Sequence, residues 1–296
     1  MTKLGDTPNA SVRQMGARQT IETNTPDLLA HEEDGVAVIT LNRPQARNAM
    51  SGEMNAGLAA ALDYAESAAS VRAVVITGAG SAFCAGGDVK GMNARNKDSQ
   101  GAAAQPSITI DEAIHAQRLN QRNTAGRMFL LPKPVIAALP GPAAGAGLSL
   151  ALAADLRIMA DSAFITTAFA KVGFSGDYGG TFFLSKLVGL GKAKEMYYLS
   201  DRVDAQECER LGIANQVVPA AELEAATLAL AKRLAAGPPI AYRYMKENFT
   251  RAAMGGDVID CLDLEATHHV HSGLSEDHKN AARAFVEKTT PEFVGR

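Results

Sequence analysis

Two short glycine-rich stretches, Phe83–Lys90 and Pro140–Ser149, constrain this chain most. Each follows an apolar run that reads as a buried strand, 71–77 before the first and 134–139 before the second. Each places residues with little or no side chain where a backbone N–H can come close to a bound molecule. Two such N–H groups converging on one carbonyl oxygen make an oxyanion hole, often the largest single term in acyl-group chemistry. A chain that runs strand, small-residue turn, helix, and then repeats that order is directed to an α/β fold with a mainly parallel sheet.

The flanking pattern extends this reading. Val36–Leu41 alternates and stops at Asn42, Arg43 and Pro44, a strand ended by a turn. Met54, Leu58, Ala61, Leu62 and Ala65 recur at helical spacing, which predicts an amphipathic helix over 52–68. Residues 91–108 are small, polar and unpatterned, the signature of a mobile loop. Helices are expected over 111–131, 146–154, 179–188, 192–199 and 205–211, with strands at 156–159 and 216–218. Beyond Pro219 only helical spacing remains, over 219–236, 239–253, 257–271 and 275–288. The expected division is a flexible extension over 1–28, a core carrying the site over 29–218, and a helical region over 219–296.

Composition excludes several classes. With 296 residues and 47% hydrophobic content the chain can bury one large core, or a core and an accessory subdomain. The net charge of −3 and the lack of a basic stripe make nucleic acid an unexpected partner. Cys84, Cys208 and Cys261 are widely spaced with no CxxC pair, as suits free thiols in a reducing compartment. No run approaches the ~18 apolar residues of a membrane span, and residues 1–27 have no apolar stretch of the secretory kind. A cytoplasmic enzyme without membrane or nucleic-acid partners is expected.

Five segments, taken in order, resemble the crotonase superfamily, also called enoyl-CoA hydratase/isomerase. Gly35–Pro44 followed by Ala46–Met50 is similar to its opening strand and coenzyme A loop. Phe83–Lys90 is similar to its first oxyanion segment, and Pro132–Ala138 leads into the second. Val172–Thr181 is similar to its active-site loop, and the tail from Ala284 to Arg296 to its C-terminal helix. The resemblance runs from about Leu29 to Arg296. It implies a crotonase-like spiral of repeated ββα units with a helical C-terminal trimerisation region, assembled as a homotrimer or a dimer of trimers. It implies an acyl-CoA thioester as substrate, with coenzyme A entering as part of that substrate and no separate cofactor or metal.

By the motif match, the N–H groups of Gly87 and Ala146 are the two oxyanion donors. Gly87 has no Cβ to block approach, and Ala146 begins a helix, where the N–H has no intrahelical partner and the dipole favours negative charge. The common hydratase pattern adds two glutamates, whose positions are taken here by Ser149 and Phe169. Water addition wants one group to activate water and another to handle the α-carbon proton, so this departure weighs against simple hydration. Asp177, in a Gly-x-x-x-Asp frame beginning at Gly173, matches the catalytic aspartate of some branches. They include dienoyl-CoA isomerases, ring-isomerising phenylacetate-pathway enzymes and an aryl-CoA dehalogenase. Read from the residues alone, Asp177 is also a candidate N-cap for the helix starting near Gly179, a role compatible with catalysis. The expected chemistry is a double-bond shift in which Asp177 removes a proton from one carbon and returns it to another. Burial against Phe169, Phe174 and Tyr178 is expected to raise its pKa above ~3.9.

The alternatives are water addition, a dehalogenase or hydrolase using Asp177 as nucleophile, and a non-catalytic RNA-binding homologue. The dehalogenase histidine would fall near Arg122, where no His stands. For coenzyme A the resemblance implies Ala46, Arg47, Ala85, Asp88 and Lys90, together with Phe285 and Lys288 from a neighbouring subunit. Ser149 is either a substrate or water ligand or a small residue packed in the interior. Cys84 reads as buried and inert. His268, His269 and His271 lack a metal signature and are expected on a solvated or interface face, with His115 and His278 on helix surfaces. Gly78-Ala79-Gly80-Ser81 lacks the third glycine of a dinucleotide fingerprint.

Overall fold

The computed structural model describes residues 18–88 and 108–296. Lys90 and all but the last residue of the loop expected over 91–108 lie outside the described residues. Among the described residues, ten strands form two sheets. The larger is built of β1 (Gln19–Thr20), β2 (Leu28–Glu33), β3 (Val36–Leu41), β4 (Ala73–Gly78), β5 (Val135–Leu139), β7 (Leu156–Ala160) and β10 (Gln216–Val218), side by side in that order. The smaller holds β6 (Ala143–Ala144), β8 (Phe164–Thr166) and β9 (Val203–Asp204). β1, β2 and β3 pair antiparallel, and from β3 to β10 the large sheet is parallel.

The chain winds as a spiral. Each turn leaves a strand of the large sheet, crosses to the second layer, and returns through a helix. From β3 it passes to Met50 and then α1 (Gly52–Ser67). From β4 it passes to Cys84–Gly87, and the described helices before β5 include α2 (Ile110–Gln121) and α3 (Arg127–Leu130). From β5 it passes to β6 and α4 (Ala146–Leu152), and from β7 to β8 and α5 (Gly180–Leu199). In the second layer these crossings stack in parallel: Met50 on Gly87, Cys84 on Ala143, and β6 on β8. β3, β4, β5 and β7 lie between layers, which is why they read as nearly continuous apolar runs. Ser51 caps α1, its Oγ accepting from the Met54 N–H at 3.0 Å, and Met54, Leu58, Ala61, Leu62 and Ala65 all face the core.

Several expected boundaries shift. The sheet begins before residue 29, because β1 pairs with β2 and Ile21 and Leu28 are buried. The core also runs past residue 218. α6 (Ala205–Arg210) precedes β10, and α7 (Leu223–Ala235) packs on β4, β5 and β7 through Leu223, Ala231 and Ala235. The helix expected over 111–131 is interrupted by a π-turn at Arg122–Gly126. The break expected between 188 and 192 is present as a non-helical Gly189 (φ 78°, ψ 160°) inside α5. The chain closes with α8 (Pro239–Ala253), α9 (Val258–Leu274) and α10 (Glu276–Glu287).

Candidate active site

The first glycine segment is stitched between two neighbours. The Ala85 N–H donates to the Arg47 carbonyl (2.9 Å) and the Met50 N–H to the Gly86 carbonyl (2.8 Å). On the other side the Ala144 N–H donates to the Cys84 carbonyl (2.9 Å). Asn48 secures the approach: its Nδ2 donates to the carbonyls of Ala79 (2.9 Å) and Ala82 (2.8 Å), while its Oδ1 accepts from the Arg43 N–H (2.9 Å). Gly86 has φ +91°, and a Cβ there would lie 2.7 Å from the Ala144 carbonyl oxygen and 3.4 Å from the Ala146 nitrogen. A Cβ on Gly147 would lie 2.5 Å from the Cys84 carbonyl. Two backbones approach closely here only because these positions lack side chains. Among the described residues, no hydrogen bond takes up the N–H of Gly87 or of Ala146.

Both residues line a cavity of about 290 Å³ shared with Met50, Ser51, Asn55, Asp88, Asp177 and Tyr178, and with Gln117 and Asn120 from α2. Asp177 does not cap α5. The cap is Gly179, which offers no side chain, and Asp177 contributes only its main-chain carbonyl to the Gly180 N–H (3.1 Å). Its carboxyl Oδ1 is buried without a hydrogen-bond partner, and burial raises its pKa to about 6. The Asp177 charge in turn helps to hold the nearby Cys84, Tyr178 and Tyr197 side chains in their neutral forms. Phe174, expected against the carboxyl, is instead 56% exposed. Its loop turns outward at Gly173, where φ is +74°. Tyr178 adopts a positive φ of 49°, strained for a bulky residue. It is held at both ends: its N–H donates to Gln121 Oε1 (2.7 Å) and its hydroxyl accepts from Asn55 Nδ2 (3.1 Å).

The positions of the two usual glutamates are packed wall. Ser149 is buried, and its Oγ donates to the Gly145 carbonyl (3.3 Å) and bonds the Tyr197 hydroxyl. Phe169 is buried and stacks on Tyr197 with ring centres 5.8 Å apart. Neither lines the cavity.

A second cavity, about 310 Å³, is lined by Arg47, Ala85, Ala144, Phe164, Lys171 and Arg202 among others. Ala85 and Gly87, like Ala144 and Ala146, alternate along one segment, so the two cavities lie in line over the same pair of backbones. Ala46 ends the 3-10 turn that delivers Arg47 to this second cavity. Phe285 and Lys288 are exposed near the end of α10 and line neither cavity of their own chain.

Other candidates take structural places. Cys84 is fully buried, its Sγ donates to the Asn48 carbonyl (3.0 Å), and burial pushes the thiol up to about 12. His268 is not on a solvated face: it is buried, bonded through Nδ1 to Asn248 Oδ1 (2.6 Å), 3.2 Å from Glu247 and stacked on Tyr244. His115, His269, His271 and His278 are exposed. No cluster of metal-ligating side chains exists among the described residues. Sequence patterning passes over Asn55, Gln117, Asn120, Gln121, Lys171 and Arg202. One signal was available for Asn55, a polar residue beside Met54 on the buried side of an amphipathic helix.

Comparison with known proteins places this geometry. The family model described as enoyl-CoA hydratase/isomerase matches residues 31–296. A 1,2-epoxyphenylacetyl-CoA isomerase of Escherichia coli (strain K12) is 35% identical over 91% of this chain and 98% of its own length. A short-chain-enoyl-CoA hydratase of Clostridium acetobutylicum is 32% identical over 88% of this chain and 95% of its own. Among solved structures, an enoyl-CoA hydratase from Polaromonas sp. JS666 matches with TM-score 0.81 at 32% identity, over 90% of this chain and 99% of that one. The spiral of strand pairs and the family match over nearly all of the described core agree: the chain belongs to the enoyl-CoA hydratase/isomerase family of the crotonase superfamily.

Proposed function

We propose that the protein shifts a double bond in an unsaturated acyl-CoA thioester, with Asp177 as the single acid and base. The observation that carries this reading is one buried, unpartnered carboxyl sharing a cavity with two N–H groups that nothing else in the described chain uses. With a pKa of about 6, Asp177 is ionised at neutral pH and basic enough to take a proton from a carbon that the thioester acidifies. The negative charge moves onto the thioester oxygen, where the N–H groups of Gly87 and Ala146 hold it. Protonated Asp177 then returns the proton to a different carbon. One group suffices for that round trip, whereas water addition needs a second, and the Ser149 and Phe169 positions supply none. Arg47, Lys171 and Arg202 in the second cavity suit the phosphates of coenzyme A. No described helix is long and apolar enough to cross a membrane, and we place the enzyme in the cytoplasm on its free, unpaired cysteines.

The test is product analysis with trans-2-, cis-3- and dienoyl-CoA substrates, for wild type and Asp177→Asn. A shifted alkene is expected from wild type, and a loss of about 10²–10⁴-fold in kcat from the variant. A hydrated product with no shifted alkene, or near-normal turnover by Asp177→Asn, overturns the reading.

A further inference from the structure

One side chain that lines neither cavity touches both halves of the site. Tyr197 and Gly180 both belong to α5, and along a straight helix they would stand about 25 Å apart. The break at Gly189 turns the chain back instead. A Cβ on Gly180 would collide with the Tyr197 hydroxyl, and a Cβ on Gly176 would lie 3.1 Å from the Tyr197 ring. The phenol therefore packs against the loop that carries Asp177, at the glycines on either side of it. The end of α5 that bears Tyr197 is itself anchored. The Thr167 Oγ1 donates to the Met196 carbonyl at 2.8 Å and the Thr166 Oγ1 to the Ser200 carbonyl at 2.9 Å.

The other side of the phenol meets the oxyanion half. The Tyr197 hydroxyl bonds the Ser149 Oγ, which also donates to the Gly145 carbonyl (3.3 Å). Ser149 lies one turn into α4, the helix that opens with the Ala146 N–H. The Tyr197 ring stacks on Phe169. A single side chain thus spans from the helix of one oxyanion donor to the loop of the carboxyl, through the two positions that the common hydratase pattern gives to glutamates. The separation of donor and base decides whether a carbon beside the thioester meets the carboxylate, and an error of about 1 Å there can cost 10²-fold. We propose that Tyr197 is a positioning residue for Asp177: its hydroxyl, held by Ser149, fixes the Asp177 loop at a set distance from the oxyanion helix. Tyr197 touches no reacting atom and acts through Asp177. This rests on the reading of Asp177 as the acid and base, and adds the residue that places it.

The experiment is steady-state kinetics with an unsaturated acyl-CoA that wild type turns over, for Tyr197→Phe, Ser149→Ala and the two combined. Each single change removes the same bond and nearly keeps the packing. Each is expected to lower kcat about 10-fold with KM within a few-fold, since the thioester donors stay in place. The combined variant is expected to lose no more than either single one, because the bond can be broken only once. Placed in Asp177→Asn, Tyr197→Phe is expected to change the residual rate by less than about twofold, as a group acting through another adds nothing once that other is gone. Single variants with kcat within about twofold of wild type overturn the proposal. So do additive losses in the combined variant, a further drop in the Asp177→Asn background, or a KM that rises as kcat falls, each of which marks general damage. Should one single variant fail to fold, the other breaks the same bond and decides. Normal turnover by Asp177→Asn means that the acid–base reading has failed and the proposal with it. An inactive Asp177→Asn beside a normal Tyr197→Phe means that only the positioning role has failed.

Discussion

At the scale of one residue, Asp177 ties activity and stability together with opposite signs. Its pKa is about 6 in the fold against 3.8 when freely solvated. The native environment therefore disfavours the ionised form that catalysis uses. Its contribution favours the fold below the unfolded value and is lost as pH rises through about 6. Two outcomes follow. The kcat/KM of wild type falls on the acid side with an apparent pKa near 6, visible in a pH–rate profile. Asp177→Asn melts higher than wild type at pH 8, and the difference shrinks by pH 5. The shift in pKa corresponds to a ceiling of about 3 kcal/mol, and water reaching part of the carboxyl reduces that to about 1 kcal/mol, or a rise of roughly 2–4 °C. Parallel thermal melts of the two proteins check it, and equal melting at pH 8 contradicts it. Asp177 and Gly87 stood out in the sequence because their motifs are local. Asn55 did not, because a single amide on an apolar helix face carries no motif, and only the fold brings it to Tyr178 and the cavity.

At the scale of elements, the site depends on how tightly two turns are stitched. Gly86 is the pinch point. Alanine there would need φ +91° and a Cβ 2.7 Å from the Ala144 carbonyl, a backbone atom that cannot swing aside. The 84–87 segment must move, and the neighbouring Gly87 N–H moves with it. Gly86→Ala is expected to keep its far-UV circular dichroism and lose about 10²–10³ in kcat, the scale of losing one oxyanion donor. Gln121 acts at one remove. It ends α2 immediately before the π-turn, and its Oε1 accepts the N–H of strained Tyr178, next to Asp177. π-turns recur at functional sites, where they re-aim a side chain. Gln121→Ala frees that loop, with kcat expected to fall roughly 10- to 100-fold as Asp177 loses its position. Gln121→Glu retains an acceptor oxygen and should recover most of the loss; no recovery removes Gln121 from the positioning role. Helical spacing foretold a helix through this region but not its π-turn, since one inserted residue hardly disturbs the apolar period. The second layer was invisible for a related reason: β6, β8 and β9 run only two or three residues, too short for alternation to register.

At the scale of the whole molecule, the C-terminal helices leave a surface that one chain does not cover. Val258, Ile259 and Leu262 on α9 and Phe285 and Val286 on α10 are exposed, Phe285 to 86%. Large apolar groups crowded on neighbouring helices are the kind of surface through which chains associate. The sequence shows their helical spacing without saying which core they serve, because an amphipathic stripe reads the same whether it faces its own chain or a second copy. Phe285 and Lys288 also lie outside both cavities of their own chain, so any contact they make with coenzyme A has to come from a neighbour. Self-association and substrate affinity are therefore expected to be coupled. Light scattering is expected to give about three times the 31.0 kDa chain mass, or a multiple of that. Ile259→Lys combined with Leu262→Lys places charges on the uncovered stripe and should return the single-chain mass with the circular dichroism spectrum retained. Because those two side chains line neither cavity, a change in catalysis by this variant reports assembly rather than local damage. KM for the thioester should rise and kcat per folded chain should change less, since the oxyanion donors and Asp177 belong to one chain. A wild-type protein that remains at 31.0 kDa at micromolar concentration while turning over normally would mean that one chain binds its substrate unaided, and would remove Phe285 and Lys288 from the site.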